Sequence, residues 1–530
     1  MNEIKRCEDL KLHNFLLFVS SLCCGLSMNN QYRYLISIFL SISLLCSSIG
    51  LGVDAQTGDF NLEAEQNWDT YGVGGTCVFG TNNIFVGDVD SDDTMEILTG
   101  GFAYNTFSGS ITASEAPLKI WSWNGQNVTL KASANWIGNI MCLYAADVDG
   151  DKTVEIITAG YYRNETGNYT SSCLRIWHLN DQELSLKANY ERASVSSIFV
   201  SDVDKDGVSE IVTVGSLRKN SFNTGQLCLW HFKDNALSLT GKLELDIANV
   251  TNANSVYASD LDNNGNIEII VGGYSDNLNN SKGQLCIWQW DGQEFSLKAN
   301  ENWQLIPEIC AETIAGGVQG NTIVNSVKAA DLDGDGFEEI VSGGFAFDGE
   351  KVNAQLKIWR WDGTALKNLE SQEWATDYLT EVKSLSLDDV DNDRKTEVIT
   401  SGITAAEDSF KNSETLHDRG QLKVWGFNGT ALILKQSAEW TFDEGACAWN
   451  VGNGDVDEDG VLEIITVGCT ALGSLCDPDM RIWSIPNVGT TPNYLPYAFA
   501  ATVLVIAATL SALVLAKRKK RNGFGKHLHG

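Results

Sequence analysis

The chain has 530 residues, 69 acidic against 37 basic side chains, and a net charge of −32. That balance excludes a nucleic-acid binder, which needs a cationic footprint for phosphate, and 16 Trp with 43% apolar residues exclude a disordered chain. Forty-nine Gly, only six Pro and many Asn and Asp point to an all-β chain rich in tight turns.

The N-terminal residues read as a leader, 1–55. The apolar run Leu35 to Cys46 follows Arg33, and the small residues Val53 and Ala55 precede a cut before Gln56, the pattern of a secretory signal with Met28 as an alternative start. At the other end a linker, 487–496, contains Pro492 and Pro496. Residues 497–516 then carry no charge over a length that crosses about 30 Å of hydrocarbon. Lys517, Arg518, Lys519, Lys520 and Arg521 follow, so the positive-inside rule predicts a single-pass type I protein of the cell membrane, its basic tail 517–530 cytoplasmic and the body outside. Nine of the thirteen cysteines lie beyond the leader, and Cys469 and Cys476 are spaced to staple one loop. Sequons at Asn127, Asn164, Asn168, Asn249, Asn279 and Asn428 suit an exported chain.

Between the ends, residues 56–486 repeat. A segment DxDxxxxxE, followed by a short apolar run and Gly, starts at Asp88, Asp147, Asp202, Asp260, Asp331, Asp389 and Asp455, about every 61 residues. Each copy continues into a segment such as LKIWSW or LCIWQW, then a turn such as Asn124-Gly125 or Asp362-Gly363, then an alternating run such as EFSLKANENW. The cues place four strands per repeat, the last two joined by a type I′ hairpin. Four antiparallel strands repeated seven times predict a seven-bladed β-propeller. The seventh repeat stops after its third strand, at MRIWSIPN. Its missing strand stands at the front of the chain, where FNLEAEQNW (Phe60 to Trp68) matches FSLKANENW (Phe295 to Trp303). The N-terminal strand is therefore expected to close the array. Trp121, Trp177, Trp230, Trp288, Trp359, Trp425 and Trp483 are expected in the core.

The acidic segments concentrate carboxylates that repel one another unless a cation is present. Oxygen-only ligands suit a hard ion, and Ca²⁺ takes six to eight oxygens in flexible geometry. The candidate ligands are Asp88, Asp90, Asp92 and Glu96; Asp147, Asp149, Asp151 and Glu155; Asp202, Asp204, Asp206 and Glu210; Asp260, Asp262, Asn264 and Glu268; Asp331, Asp333, Asp335 and Glu339; Asp389, Asp391, Asp393 and Glu397; and Asp455, Asp457, Asp459 and Glu463. Several of these loops should hold calcium. The loops starting at Asp202, Asp331 and Asp455 are complete, with Gly at position six, and should bind best. Asp93, Lys152 and Arg394 replace that Gly, so weaker binding is expected at Asp88, Asp147 and Asp389. The alternative for each loop is an Asx turn, its Asp side chains bonding only the backbone.

The DxDxDGxxE loop followed by an apolar strand and Gly resembles the FG-GAP or VCBS repeats of integrin α-subunit propellers and their microbial cell-surface relatives. The resemblance covers about Phe60 to Pro486. It implies calcium on positions one, three, five and nine and a recognition or adhesion role without catalysis, toward an extracellular protein or glycan. The FG and GAP dipeptides are mostly GG, AG or VG here, and no inserted domain is evident.

Ligand contact is expected on the connections between second and third strands, opposite the acidic loops: residues 102–117, 161–173, 216–225, 274–283, 345–354, 403–420 and 469–479, with a further insertion at 305–322. Sequons crowd repeats two and four, which leaves repeats five to seven clearer. Phe102, Tyr161, Tyr274 and Phe345 either ring a pocket there or pack repeat against repeat. His178 and His231 follow the core Trp at a position where other repeats have Ser, Gln, Arg or Gly, which reads as a solvent-facing slot; His417 lies apart. No GxSxG, HExxH or P-loop occurs. A polysaccharide lyase or glycosidase and a structural envelope component are the alternative functions.

Overall fold

A computed structural model describes residues 60–67, 76–107, 110–163, 169–180, 182–219, 222–245, 251–276, 281–305, 322–407, 418–441, 445–472 and 475–486. The leader, the charge-free segment 497–516, the basic tail and most of the insertion at 305–322 lie outside them. Among the described residues no helix is long and apolar enough to cross a membrane.

Every described element is a strand. The strands pair antiparallel in groups of four, numbered here one to seven in the order of their acidic loops. In group five, Thr322–Ala330, Glu339–Phe347, Val352–Trp361 and Leu366–Trp374 neighbour one another in space as in sequence. The second strand of every group begins at the closing Glu of its loop: Glu96–Phe107, Glu155–Arg163, Glu210–Lys219, Glu268–Asp276, Glu339–Phe347, Glu397–Ala405 and Glu463–Leu472. Group seven takes its fourth strand from the front of the chain. Asn61–Asn67 pairs antiparallel with Leu475–Ser484, setting Leu62 opposite Trp483. Arg481 fixes this pairing, with Nη2 2.9 Å from Glu65 Oε1 and Nε donating to Asp479 Oδ2 at 2.8 Å.

Backbone pairing gathers the strands into four sheets, one running through groups seven, one and two and another through groups five and six, and packing carries contact across every junction. Seven buried clusters do this. One joins Leu98, Leu118 and Ile120 of group one to Ile140, Ile156 and Trp177 of group two, and four more link groups two to three, three to four, four to five and five to six. Another joins six to seven, and the last sets Met480 and Ile482 of group seven against Ile97 and Trp121 of group one. The seven repeated Trp are all buried.

A recurrent bulge explains the Gly that ends each apolar run. Six first strands carry an extra residue at the same place, for example between Val324 and Ser326. There the second strand approaches so closely that a Cβ on Gly344 would lie 1.9 Å from the Ile323 carbonyl oxygen, and one on Gly273 equally close to that of Asn252. No side chain fits.

The third-to-fourth strand turn of group three has the expected type I′ form: only Asp234 and Asn235, both left-handed at φ +51° and +59°, separate Phe222–Lys233 from Ala236–Leu245. In groups one, four, five and six the turns are four-residue loops instead, as at Asn428–Ala431 between Arg419–Phe427 and Leu432–Trp440. The Asn428 Oδ1 accepts the N–H groups of Thr430 and Ala431 at 3.1 and 2.9 Å, and only Gly429 has a positive φ, +84°. A side-chain cap replaces the second left-handed residue that a type I′ turn requires. The Cys469 Sγ lies 2.7 Å from Cys447 Sγ across the strand pair, and the Cys476 side chain falls outside the description.

Six core Trp donate their indole N–H to a hydroxyl three residues after the closing Glu, as Trp359 does to Ser342 and Trp230 to Thr213. In group four that position is Val271, and Trp288 Nε1 is buried with no partner among the described residues. Val271→Thr, nearly isosteric, supplies the acceptor and should raise stability by about 1 kcal/mol in denaturant melts; an unchanged or lowered midpoint would show that the orphan indole costs nothing.

Candidate metal centres

Each acidic loop is built from its first Asp. The Oδ2 of position one accepts the N–H of position six in all seven loops, at 2.7 to 3.1 Å. That bond holds position six left-handed: φ is +89° at Gly207 and +87° at Gly336, and also +68° at Asp93, +74° at Lys152 and +71° at Arg394. The three side-chain variants therefore keep the same turn, at a local cost of about 1 kcal/mol each.

The closing Glu is the buried member, 0 to 5% exposed in every loop. In six loops its Oε2 accepts the N–H of position two, as Val89 donates to Glu96 at 3.0 Å and Val456 to Glu463 at 3.1 Å. Burial pushes all seven closing carboxyls upward, those of Glu155, Glu268, Glu397 and Glu463 to about 7. Positions one, three and nine bring carboxylate oxygens within 4.8 Å of one another in clusters such as Asp147, Asp149 and Glu155 or Asp260, Asp262 and Glu268. Several of these clusters could hold a metal ion. Asp90 Oδ1, Asp260 Oδ1, Glu397 Oε2 and Asp455 Oδ1 are buried with no hydrogen-bond partner among the described residues.

The seven loops are neutralised differently, which the sequence pattern did not disclose. In loop one the Lys131 Nζ sits 2.6 Å from Asp90, 2.8 Å from Glu96 and 3.1 Å from Asp92. Lys435 does the same in loop six, at 2.7, 2.6 and 2.9 Å from Asp391, Glu397 and Asp393. In loop five the Arg360 guanidinium reaches Asp335 at 2.9 Å and also pairs with Glu339. Asp333, Asp335 and Glu339, expected with Asp331 among the best calcium ligands, thus surround a cation of their own.

The position after the core Trp is not a solvent-facing slot. Glu339 begins a second strand directly opposite Arg360, and Glu155 stands opposite His178 in the same way. His231 Nε2 approaches Glu210 at 2.5 Å, and Gln289 donates to Glu268 at 2.5 Å. The antiparallel register aims this residue into the acidic loop.

Lys131 and Lys435 occupy a bulge that recurs in every fourth strand just after the residue paired with the Trp; groups two and four have Lys187 and Lys298 there, with no ion pair among the described residues. In group seven the bulge residue is Glu63. Its carboxylate accepts the Ser484 hydroxyl at 2.6 Å and adds a small share to the raising of Asp457, which comes first from burial and then from the like charges of Asp459 and Asp455. Loop seven therefore gains a carboxylate where loops one and six have an ammonium, beside a cavity of about 310 Å³ lined by Glu63, Asp457, Asp459 and Glu463. Sequence reasoning missed Glu63 although the signal was present: in the match of FNLEAEQNW to FSLKANENW, Glu63 falls on Lys298.

The loops also touch the next group. A Cβ on Gly363, in the hairpin of group five, would meet Asp262 Oδ2 of loop four at 2.6 Å, and one on Gly125 would meet Asp457 Oδ2 at 2.8 Å. Positive φ and this approach together require Gly in those Asn-Gly and Asp-Gly pairs.

No family model and no curated protein matches the chain.

Raised carboxyls set the pH behaviour of the metal-free protein. Glu155, Glu268 and Glu463 keep their protons to about pH 7 when folded, whereas the unfolded chain releases them near the ordinary value of 4.5. In chelator the folded state binds more protons across that window, so stability should fall as pH rises from about 4.5 to about 7. Thermal melts in chelator check this, with Glu463→Gln giving a flatter slope; a stability that rises over the window would refute it.

Proposed function

We propose that the seven groups are the blades of a seven-bladed β-propeller, that the loops without a cation of their own bind calcium, and that the assembly is a recognition or adhesion module with no catalytic activity. On this reading the body stands outside the cell on the 497–516 span. The blade arrangement is supported by apolar clusters joining each group to the next and the last to the first, and by a cavity lined by first-strand residues of all seven groups.

The observation that carries the metal reading is loop seven. Asp455, Asp457, Asp459, Glu463 and Glu63 converge with no Lys or Arg ion pair among the described residues, and oxygen-only donors favour a hard cation. Equilibrium dialysis should find about four calcium ions per chain, held by loops two, three, four and seven. Glu63→Lys copies Lys131 and Lys435 into loop seven and should remove one ion while preserving the far-ultraviolet spectrum. No bound calcium, or an unchanged stoichiometry in the variant, would overturn the assignment.

Recognition is supported by where variation falls. The acidic loops repeat, whereas the second-to-third strand connection runs from two residues in group three, between Lys219 and Phe222, through four in group five, between Phe347 and Val352, to thirteen in group six, between Ala405 and Arg419. Rigid scaffolds carry recognition on such loops. Binding of the protein to extracellular glycan and protein panels should be saturable and should be lost when residues 406–418 are replaced by the short Asp348–Lys351 turn, with melting unchanged. Turnover of a polysaccharide would favour a lyase or glycosidase instead.

A further inference from the structure

The central cavity, about 400 Å³, is lined by first-strand residues from every group, a volume in the range of small-molecule sites. Its chemistry is opposite to that of the rest of the chain. The protein has 69 Asp and Glu, yet the lining contains none, and its two charged residues are Lys328 and Lys383.

The two lysines are not equivalent. Lys383 is neutralised by an ion pair with Glu381 and lies over Trp449, 5.0 Å from the ring. Lys328 has no ion pair among the described residues; it lies 5.5 Å from the Tyr257 ring, and desolvation holds its ammonium below the usual lysine range. One desolvated cation therefore faces the cavity without an anion.

Hydroxyl donors surround it. Ser197, Ser255 and Ser326 each accept a backbone N–H from the following group, from Val256 at 3.2 Å, Val327 at 3.0 Å and Leu385 at 3.3 Å. Each keeps its own O–H for donation, and no described residue accepts it. The bulges noted above lie along this wall, where an extra residue re-aims side chains. Phe85, Tyr144 and Trp449 add aromatic edges to a mainly polar lining. Phe85 packs on Tyr144 with ring centroids 5.1 Å apart, and the row runs on through Phe199 to Tyr257, which meets Lys328.

We infer that the central cavity is a binding site for a small organic carboxylate, its anionic end held by the Lys328 ammonium and the serine hydroxyls and its apolar part lying against Phe85, Tyr144 and Trp449. A charge-assisted hydrogen bond to a partly desolvated ammonium is among the stronger polar contacts available to a protein. A bare inorganic anion would leave the aromatic wall unused. The site is separate from the acidic loops and does not depend on metal.

Titration of the full chain with benzoate, read by Trp fluorescence because Trp449 lines the cavity, tests this, with acetate and inorganic phosphate as comparison ligands. Benzoate should bind saturably at one per chain, acetate at least tenfold more weakly, and phosphate not at all. Lys328→Met should weaken benzoate at least tenfold, with melting and calcium stoichiometry unchanged, and Lys367→Met, at an exposed lysine, should leave binding intact. Absence of saturable benzoate binding, binding unaffected by Lys328→Met, or binding of phosphate in preference to benzoate would overturn the assignment.

Discussion

Repulsion among carboxylates at the junctions between groups is the constraint on which the rest of this structure depends. Three or four carboxyl groups share each loop, one of them buried, and each loop faces a hairpin of the following group. Like charges at such range must protonate, meet a cation or separate. Burial has already pushed the closing Glu of every loop upward. A cation at this point does more than neutralise charge, because the oxygens it gathers stand between two groups that otherwise touch through side-chain packing.

The protein meets that constraint in two ways. Loops one, five and six use Lys131, Arg360 and Lys435, tethered ions present at unit occupancy in every molecule. A side-chain cation makes the junction independent of solution conditions, at the cost of burying a long side chain and fixing its rotamers. The other four loops have no Lys or Arg ion pair among the described residues, loop three having His231 against Glu210 instead, and on the proposed reading their cohesion follows the cation the surroundings supply. The array thus divides into junctions neutralised by a side chain, in groups one, five and six, and junctions whose carboxylates could hold a metal ion.

Much of the fold was legible because the repeat is regular at the level of backbone requirements. The Gly that ends each apolar run, the Trp of the third strand and the Asp of position one answer to close approach, core packing and a turn bond, and these recur with every copy. The pairing of Asn61–Asn67 with the last group could be read from one alignment of nine residues. What the sequence concealed was register. Whether the residue after the Trp points to solvent or into the loop is decided by which residue stands opposite it across the strand pair, and the bulge that turns Lys131, Lys435 and Glu63 toward the carboxylates leaves no mark in an alternating pattern. The same limit hid Arg360 in the loop that looked most complete, and it hid the central cavity, whose walls come from seven short segments spread over nearly 370 positions.

Loop seven joins these themes, since it is the one acidic cluster assembled from both ends of the chain. Ser484 and Glu63 are 421 positions apart, and Arg481 and Glu65 are 416 apart. Contacts of that sequence separation form late, because the whole intervening chain must be ordered before they reward the closure. An interaction absent from the folding transition state slows unfolding without speeding folding. A divalent ion shared by Glu63 and Asp457 would act at that last step, holding the N-terminal strand against Leu475–Ser484 and resisting the peeling of an exposed terminal strand, which is the natural first event in opening such an array. The placement of a carboxylate, and not an ammonium, at this one bulge therefore puts an acidic junction that a cation could bridge where the chain has no covalent link between neighbouring strands.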